Sequence, residues 1–130
     1  MTSEQLRGQF VPIIVGGNGA LSLAGKLFWR FGLTSHLLTA KPPLLRRLCP
    51  WLCVHSLPDR VGYDVLLVAL GDLASELAAE DRTPLLFWCA DEPLSLDDER
   101  RLLLEAQLIF CREDKLDDLA LVVSQGGMTQ

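Results

Sequence analysis

The chain has 130 residues, of which 49% are hydrophobic and 22% charged, which is the size and apolar content of one globular domain and excludes a disordered protein. Its formal net charge is -5, and its only basic doublets are Arg46-Arg47 and Arg100-Arg101, which excludes electrostatic binding to nucleic acid. Pro12 and a glycine-rich turn interrupt the uncharged stretch between Arg7 and Lys26. These breaks argue against a membrane span or a signal peptide, so we expect a cytoplasmic protein.

The first predicted unit is a strand, a glycine turn and a helix. Residues 10–15 form a short apolar run of the kind that is buried in a parallel sheet, and Gly16-Gly17 end it. Apolar residues then recur at helical spacing from Ala20 to Phe31, and Gly32 provides a C-terminal stop.

Strand and helix patterns alternate through the rest of the chain. The remaining predicted strands are residues 35–39, 52–56, 65–70, 85–89, 108–111 and 119–123. The further predicted helices are residues 44–48, residues 73–80 and a helix that begins at Ser95 with Asp98 as its capping partner.

This alternation predicts right-handed βαβ crossovers. We therefore expect an α/β, Rossmann-like three-layer αβα domain over residues 1–123, with a mainly parallel sheet in the order 3-2-1-4-5. Residues 124–130 contain Gly126-Gly127 and little to bury, which predicts a flexible C-terminal tail.

The glycine turn has direct chemical meaning, because glycines before a helix let backbone N–H groups approach a phosphate. Gly17 and Gly19 match the first part of a dinucleotide fingerprint, but Ser22 stands where its third glycine is expected. Strand two is followed by Ala40-Lys41 and not by the acid that holds a ribose, although Lys41 is compatible with the 2'-phosphate of NADP. A turn that only connects strand to helix is the alternative interpretation.

Several segments of the chain together resemble the start of the ATP-grasp carboxylate-amine ligase family, which opens with a Rossmann-like preATP-grasp domain. The segments that carry this resemblance are Phe10-Val11-Pro12 through Gly17, Ser22-Leu23-Ala24, Phe28, Phe31-Gly32-Leu33, Leu57-Pro58, the stretch from Val65 to Asp72, and Leu77. The resemblance covers roughly the first 90 residues.

The resemblance implies a role on the substrate side of a ligase. Such ligases activate a carboxylate with ATP and join it to an amine, and their Mg²⁺ ligands lie in separate ATP-binding domains. Where the family leads into those domains, this chain has Asp98-Glu99-Arg100-Arg101 instead. We therefore expect no catalytic residue and no cofactor in this chain. We expect ATP and Mg²⁺ to bind only to ATP-grasp domains present elsewhere. The implied partners are a small carboxylate or amine substrate, a catalytic domain to dock against, or a second copy of the chain.

By analogy with that family, the ligand site lies at the carboxyl edge of the sheet. The candidate ligand-binding residues are Gly16, Gly17, Asn18, Gly19, Asp72 and Asp91. Helix capping by Asn18 and Asp72, and a solvated loop at Asp91, are the alternative interpretations.

Two further classes of function remain open. The glycine turn and its helix also resemble the NAD-binding module of sirohaem-synthase-type dehydrogenases and of potassium-uptake regulators. A protein-interaction domain anchored by Trp29, Trp51 or Trp88 is the third possibility.

The cysteines and histidines do not form a recognised catalytic or metal motif in the sequence. Cys49, Cys53 and His55 are metal-type ligands, but their spacing is not that of a zinc knuckle, so we expect reduced thiols and no metal site. His36 and His55 fall within predicted strands, and we interpret both as structural.

Overall fold

The computed structural model describes residues 8–16, 19–39, 51–56, 63–89, 94–105, 108–112 and residue 116. Its strands are β1 (Phe10–Val15), β2 (Ser35–Thr39), β3 (Leu52–Ser56), β4 (Thr83–Trp88) and β5 (Ile109–Cys111). Its helices are α1 (Ala20–Phe31), α2 (Tyr63–Ala79) and α3 (Leu96–Glu105).

The strands form one all-parallel sheet in the order β3-β2-β1-β4-β5. The register aligns Ile14 of β1 with Leu37 of β2 on one side and with Phe87 of β4 on the other. This architecture confirms the predicted α/β, Rossmann-like fold and its strand order.

The prediction of a strand at residues 65–70 is wrong, because that segment is the first half of α2. Its buried side chains, Leu67, Leu70, Ala74 and Leu77, are spaced by three or four residues, so they form one stripe along a helix. The helix predicted at 73–80 is the second half of the same α2. The fourth strand in chain order is therefore the one predicted at residues 85–89, which is β4, and the fifth is the one predicted at residues 108–111, which is β5.

Side chains of β1 alternate between two hydrophobic cores. Ile14 packs on the face covered by α1, with Leu23 and Leu27, whereas Ile13 packs on the face covered by α2 and α3, with Leu70. All six β1 residues are buried. Burying one such side chain contributes about 1.5–3 kcal/mol, so the two faces of the central strand hold the helices on both sides of the sheet.

The predicted end of α1 and the predicted start of α3 are both confirmed by their capping residues. Gly32 ends α1 in the left-handed region at φ 71°. Its N–H donates to the carbonyl oxygen of Phe28 at 2.8 Å, and the N–H of Leu33 donates to that of Leu27 at 3.3 Å. Ser95 precedes α3, and its Oγ accepts a hydrogen bond of 3.2 Å from the N–H of Asp98.

The helix predicted at 44–48, the strand predicted at 119–123 and the tail predicted at 124–130 lie outside the described residues. None of the helices in the described part of the chain has the length and apolarity that a membrane span requires.

Candidate functional site

A cleft opens at the carboxyl edge of the sheet, where the strand order reverses between β1 and β4. The chain leaves β1 towards β2 and leaves β4 towards β5, so the two connections diverge and leave a crevice above the central strands. The cleft has a volume of about 570 Å³. Its walls include Gly19, Trp88, Cys89, Glu99, Phe110 and Arg112.

Gly19 is the predicted site residue that lines this cleft. It occupies the N-cap position of α1, a position that the alternative interpretation of the sequence had given to Asn18. A Cβ placed on Gly19 would meet no atom within 4 Å, so its surroundings leave open space. Its backbone therefore faces the cleft without being crowded by neighbouring side chains.

Gly16 has a structural explanation that needs no ligand. Its N–H donates to the carbonyl oxygen of Leu38 at 2.6 Å. A Cβ on Gly16 would lie 2.7 Å from both Cβ and Oγ1 of Thr39, which is closer than two such atoms can approach. The absence of a side chain at Gly16 therefore lets the ends of β1 and β2 pack together.

Asp72 does not lie at the carboxyl edge, because the segment that precedes it is helical and not a strand. It is exposed in the middle of α2 and lines a separate groove of about 600 Å³ between α2 and α3, together with Asp64, Ser75 and Arg101. The alternative role of Asp72 as a helix cap is also wrong, since α2 begins at Tyr63. Gly17, Asn18 and Asp91 lie outside the described residues.

Two charged residues of the cleft were not among the predicted site residues. Glu99 lies in the first turn of α3 and Arg112 directly follows β5. Neither has an ion-pair partner among the described residues. Both positions carry a sequence signal, because residues just after a parallel strand, or in the first turn of the helix that follows one, lie at the carboxyl edge.

The Cys111 thiol of the cleft is not an activated nucleophile. Burial raises the pKa of the Cys111 thiol to about 12, so it stays protonated at neutral pH. Cys89 is half-buried beside the last residue of β4. The described lining of the cleft combines apolar side chains with one acidic and one basic side chain, Glu99 and Arg112.

A second group of polar side chains lies on β2 and β3, away from this cleft. Nδ1 of His36 and Nε2 of His55 are 2.9 Å apart, and Sγ of Cys53 lies 3.7 Å from the same Nε2. Burial lowers the pKa of His36, with smaller contributions in the same direction from His55 and Arg82. Sequence reasoning named Cys53 and His55 as metal-type ligands together with Cys49, but it left out His36, because it did not align β2 with β3.

No protein-family model matches the chain, and no curated protein sequence matches it. The fold and the cleft at its carboxyl edge are therefore the features that bear on function.

Proposed function

We propose that this chain is a ligand-binding, non-catalytic domain of the preATP-grasp type that holds a small carboxylate or amine substrate for an ATP-grasp ligase. The observation that carries the proposal is the cleft at the point where the strand order reverses, which is where open α/β sheets bind their ligands. The resemblance of the first strand, turn and helix to that family supports the same assignment.

The charges of the cleft favour a ligand with both a carboxylate and an amine, such as an amino acid. Arg112 offers a guanidinium to a carboxylate, and Glu99 offers a carboxylate to an ammonium group. Trp88, Leu94 and Phe110, which are partly exposed, supply an apolar wall for the rest of the ligand. A small zwitterion therefore meets a complementary group at each end.

The chemical step is assigned to other domains in this proposal. Among the described residues that line the cleft, Glu99 supplies the only carboxylate, whereas Mg²⁺ bound with ATP is held by several oxygen ligands. The part of this chain is to bind and orient the substrate.

A nucleotide-binding role is less well supported. Thr39 is the last residue of β2, it is buried against Gly16, and no acid stands there to hold a ribose. The nucleotide-binding alternative is tested directly by including NAD⁺ and NADP⁺ among the ligands of the experiment below.

The test is thermal unfolding of the full chain with the common amino acids, simple carboxylates and amines, ATP, NAD⁺ and NADP⁺. A ligand present at about 100 times its Kd is expected to raise Tm by roughly 10 °C, because it binds only the folded state. Arg112→Gln and Glu99→Gln are expected to remove most of that shift.

Two exposed residues of α3 outside the cleft provide matched controls. Arg100→Gln and Asp97→Asn make the same changes of charge and are expected to keep the full shift. The absence of any shift with carboxylates or amines would refute the proposal. A shift with NAD⁺ or NADP⁺ that Arg112→Gln removes would favour the nucleotide-binding alternative.

A further inference from the structure

The parallel register of β2 with β3 brings three side chains, His36, Cys53 and His55, onto one face of the sheet. His36 of β2 is aligned with Cys53 of β3, and Leu38 is aligned with His55. Aligned residues of neighbouring strands point to the same face, and residues two apart on a strand share that face. All three side chains therefore project on the side covered by α2, where Leu38 packs.

Two of the distances between the three side chains are close to those between ligands of one metal ion. Each of the three residues offers one ligand atom, and these three atoms lie within 4.8 Å of one another. Zinc bound at tetrahedral angles separates two imidazole nitrogens by roughly 3.3 Å, and a nitrogen and a sulfur by roughly 3.6 Å. The observed separations of 2.9 Å between the histidine nitrogens and 3.7 Å between sulfur and nitrogen need only small rotations to reach these values.

The surroundings leave one side of the cluster open. Cys53 is exposed and the two histidines are half-buried, at the β3 edge of the sheet. Glu76 and Glu80, at the end of α2 and just after it, lie within electrostatic range of His36 and favour a nearby cation, while Arg82 opposes it. The cluster thus offers three ligands and a fourth position that faces solvent.

We propose that His36, Cys53 and His55 form a binding site for a thiolate-accepting divalent transition metal ion, with zinc as its occupant. Two imidazoles and one thiolate suit zinc, and three protein ligands leave a fourth position for water or a small ligand. The ion joins the edge strand β3 to β2 and stabilises their pairing. The site is independent of the carboxyl-edge cleft.

Cobalt provides the direct test, because Co²⁺ takes zinc sites and its absorption reports its ligands. Titration of the reduced full chain with Co²⁺ is expected to give one equivalent of a tetrahedral visible spectrum and a thiolate-to-cobalt charge-transfer band, and Zn²⁺ is expected to bleach both. Cys53→Ser is expected to lose the charge-transfer band. His36→Gln and His55→Gln are each expected to weaken cobalt binding by about 100-fold or more.

Cys89→Ser and Cys111→Ser are the matched controls and are expected to keep the full spectrum, since both thiols lie outside the cluster. Circular dichroism of every variant checks that it is folded. A charge-transfer band that survives in Cys53→Ser would overturn the proposal, as would a folded chain that gives no tetrahedral spectrum.

Thiol alkylation mapped by mass spectrometry tests the same site without cobalt. Cys53 is exposed and is expected to react readily in the metal-free chain. Zinc at about 100 times its Kd is expected to slow that reaction by roughly 100-fold. Protection of Cys89 or Cys111 with no protection of Cys53 would contradict the assignment.

Discussion

The contact between Gly16 and Thr39 fixes how closely the ends of two central strands approach. A side chain at position 16 would meet both the Thr39 side chain and the carbonyl oxygen of Leu38, which lies 2.9 Å from the Cβ position. Backbone atoms of a paired strand cannot move aside without breaking the ladder. This residue therefore serves the packing of the sheet, although its sequence context equally suggests a phosphate-binding turn.

We expect Gly16→Ala to destabilise the fold by about 1–3 kcal/mol, because the added methyl overpacks a rigid contact. Gly25→Ala is the matched control, since position 25 lies inside α1 and has open space around its Cβ position. That control is expected to stabilise the chain by about 0.5–1 kcal/mol through helix propensity. Urea unfolding of both variants measures the difference, and a neutral Gly16→Ala would contradict the contact.

At the scale of the elements, α2 shows where sequence reasoning fails. The run Val65-Leu66-Leu67-Val68-Ala69-Leu70 is apolar throughout, and such a run fits a buried strand and a buried helix equally well. The stripe of buried residues that identifies a helix continues to Leu77. It therefore extends beyond Gly71-Asp72, which were interpreted as the end of a strand. Elements with a clear period or cap, such as α1 and α3, were predicted correctly.

The helical state of α2 has a direct mutational test. Leu70 is fully buried, whereas Val68 is 64% exposed, although a strand would point these two residues to the same face. We expect Leu70→Ala to cost about 2–5 kcal/mol. Val68→Ala is expected to stay within about 0.5 kcal/mol of the parent chain. Chemical denaturation measures the free energy of unfolding of both variants. Equal losses would indicate that the two side chains lie on the same face, as in a strand, and would refute the helix.

At the scale of the whole molecule, the sheet order was predictable, because the connections between parallel strands of one sheet are right-handed crossovers. Strands alternating with helices restrict the topology to a few arrangements, and the observed order is the predicted one. The error at residues 65–70 did not change the fold class, since β4 and β5 take the places that the pattern requires. The prediction thus gave the architecture correctly and assigned one segment to the wrong element.

The candidate sites were less predictable than the fold, because they depend on residues that the fold brings together from distant parts of the chain. Gly19 was found from its local motif, whereas Arg112 reaches the cleft only because β5 pairs with β4. Likewise, His36 meets Cys53 only through the register of β2 with β3. Local patterns cannot specify such pairings.

Stability is expected to be highest at the centre of the sheet. β1 and β4 are each paired on both sides and mostly buried, while β5 is a three-residue edge strand. Native-state hydrogen exchange of the metal-free chain is therefore expected to be slowest in β1 and β4 and faster in β3 and β5. Edge-strand amides that exchange more slowly than those of β1 would contradict this order.

The three tryptophans give the molecule an intrinsic optical reporter. Trp88 borders the carboxyl-edge cleft, whereas Trp29 and Trp51 are not among its described lining residues and lie near each other, with ring centroids 6.2 Å apart. Replacing those two by phenylalanine leaves a single indole whose fluorescence senses the polarity at the mouth of the cleft. Entry of a small molecule there then becomes visible as a change in emission, without any label.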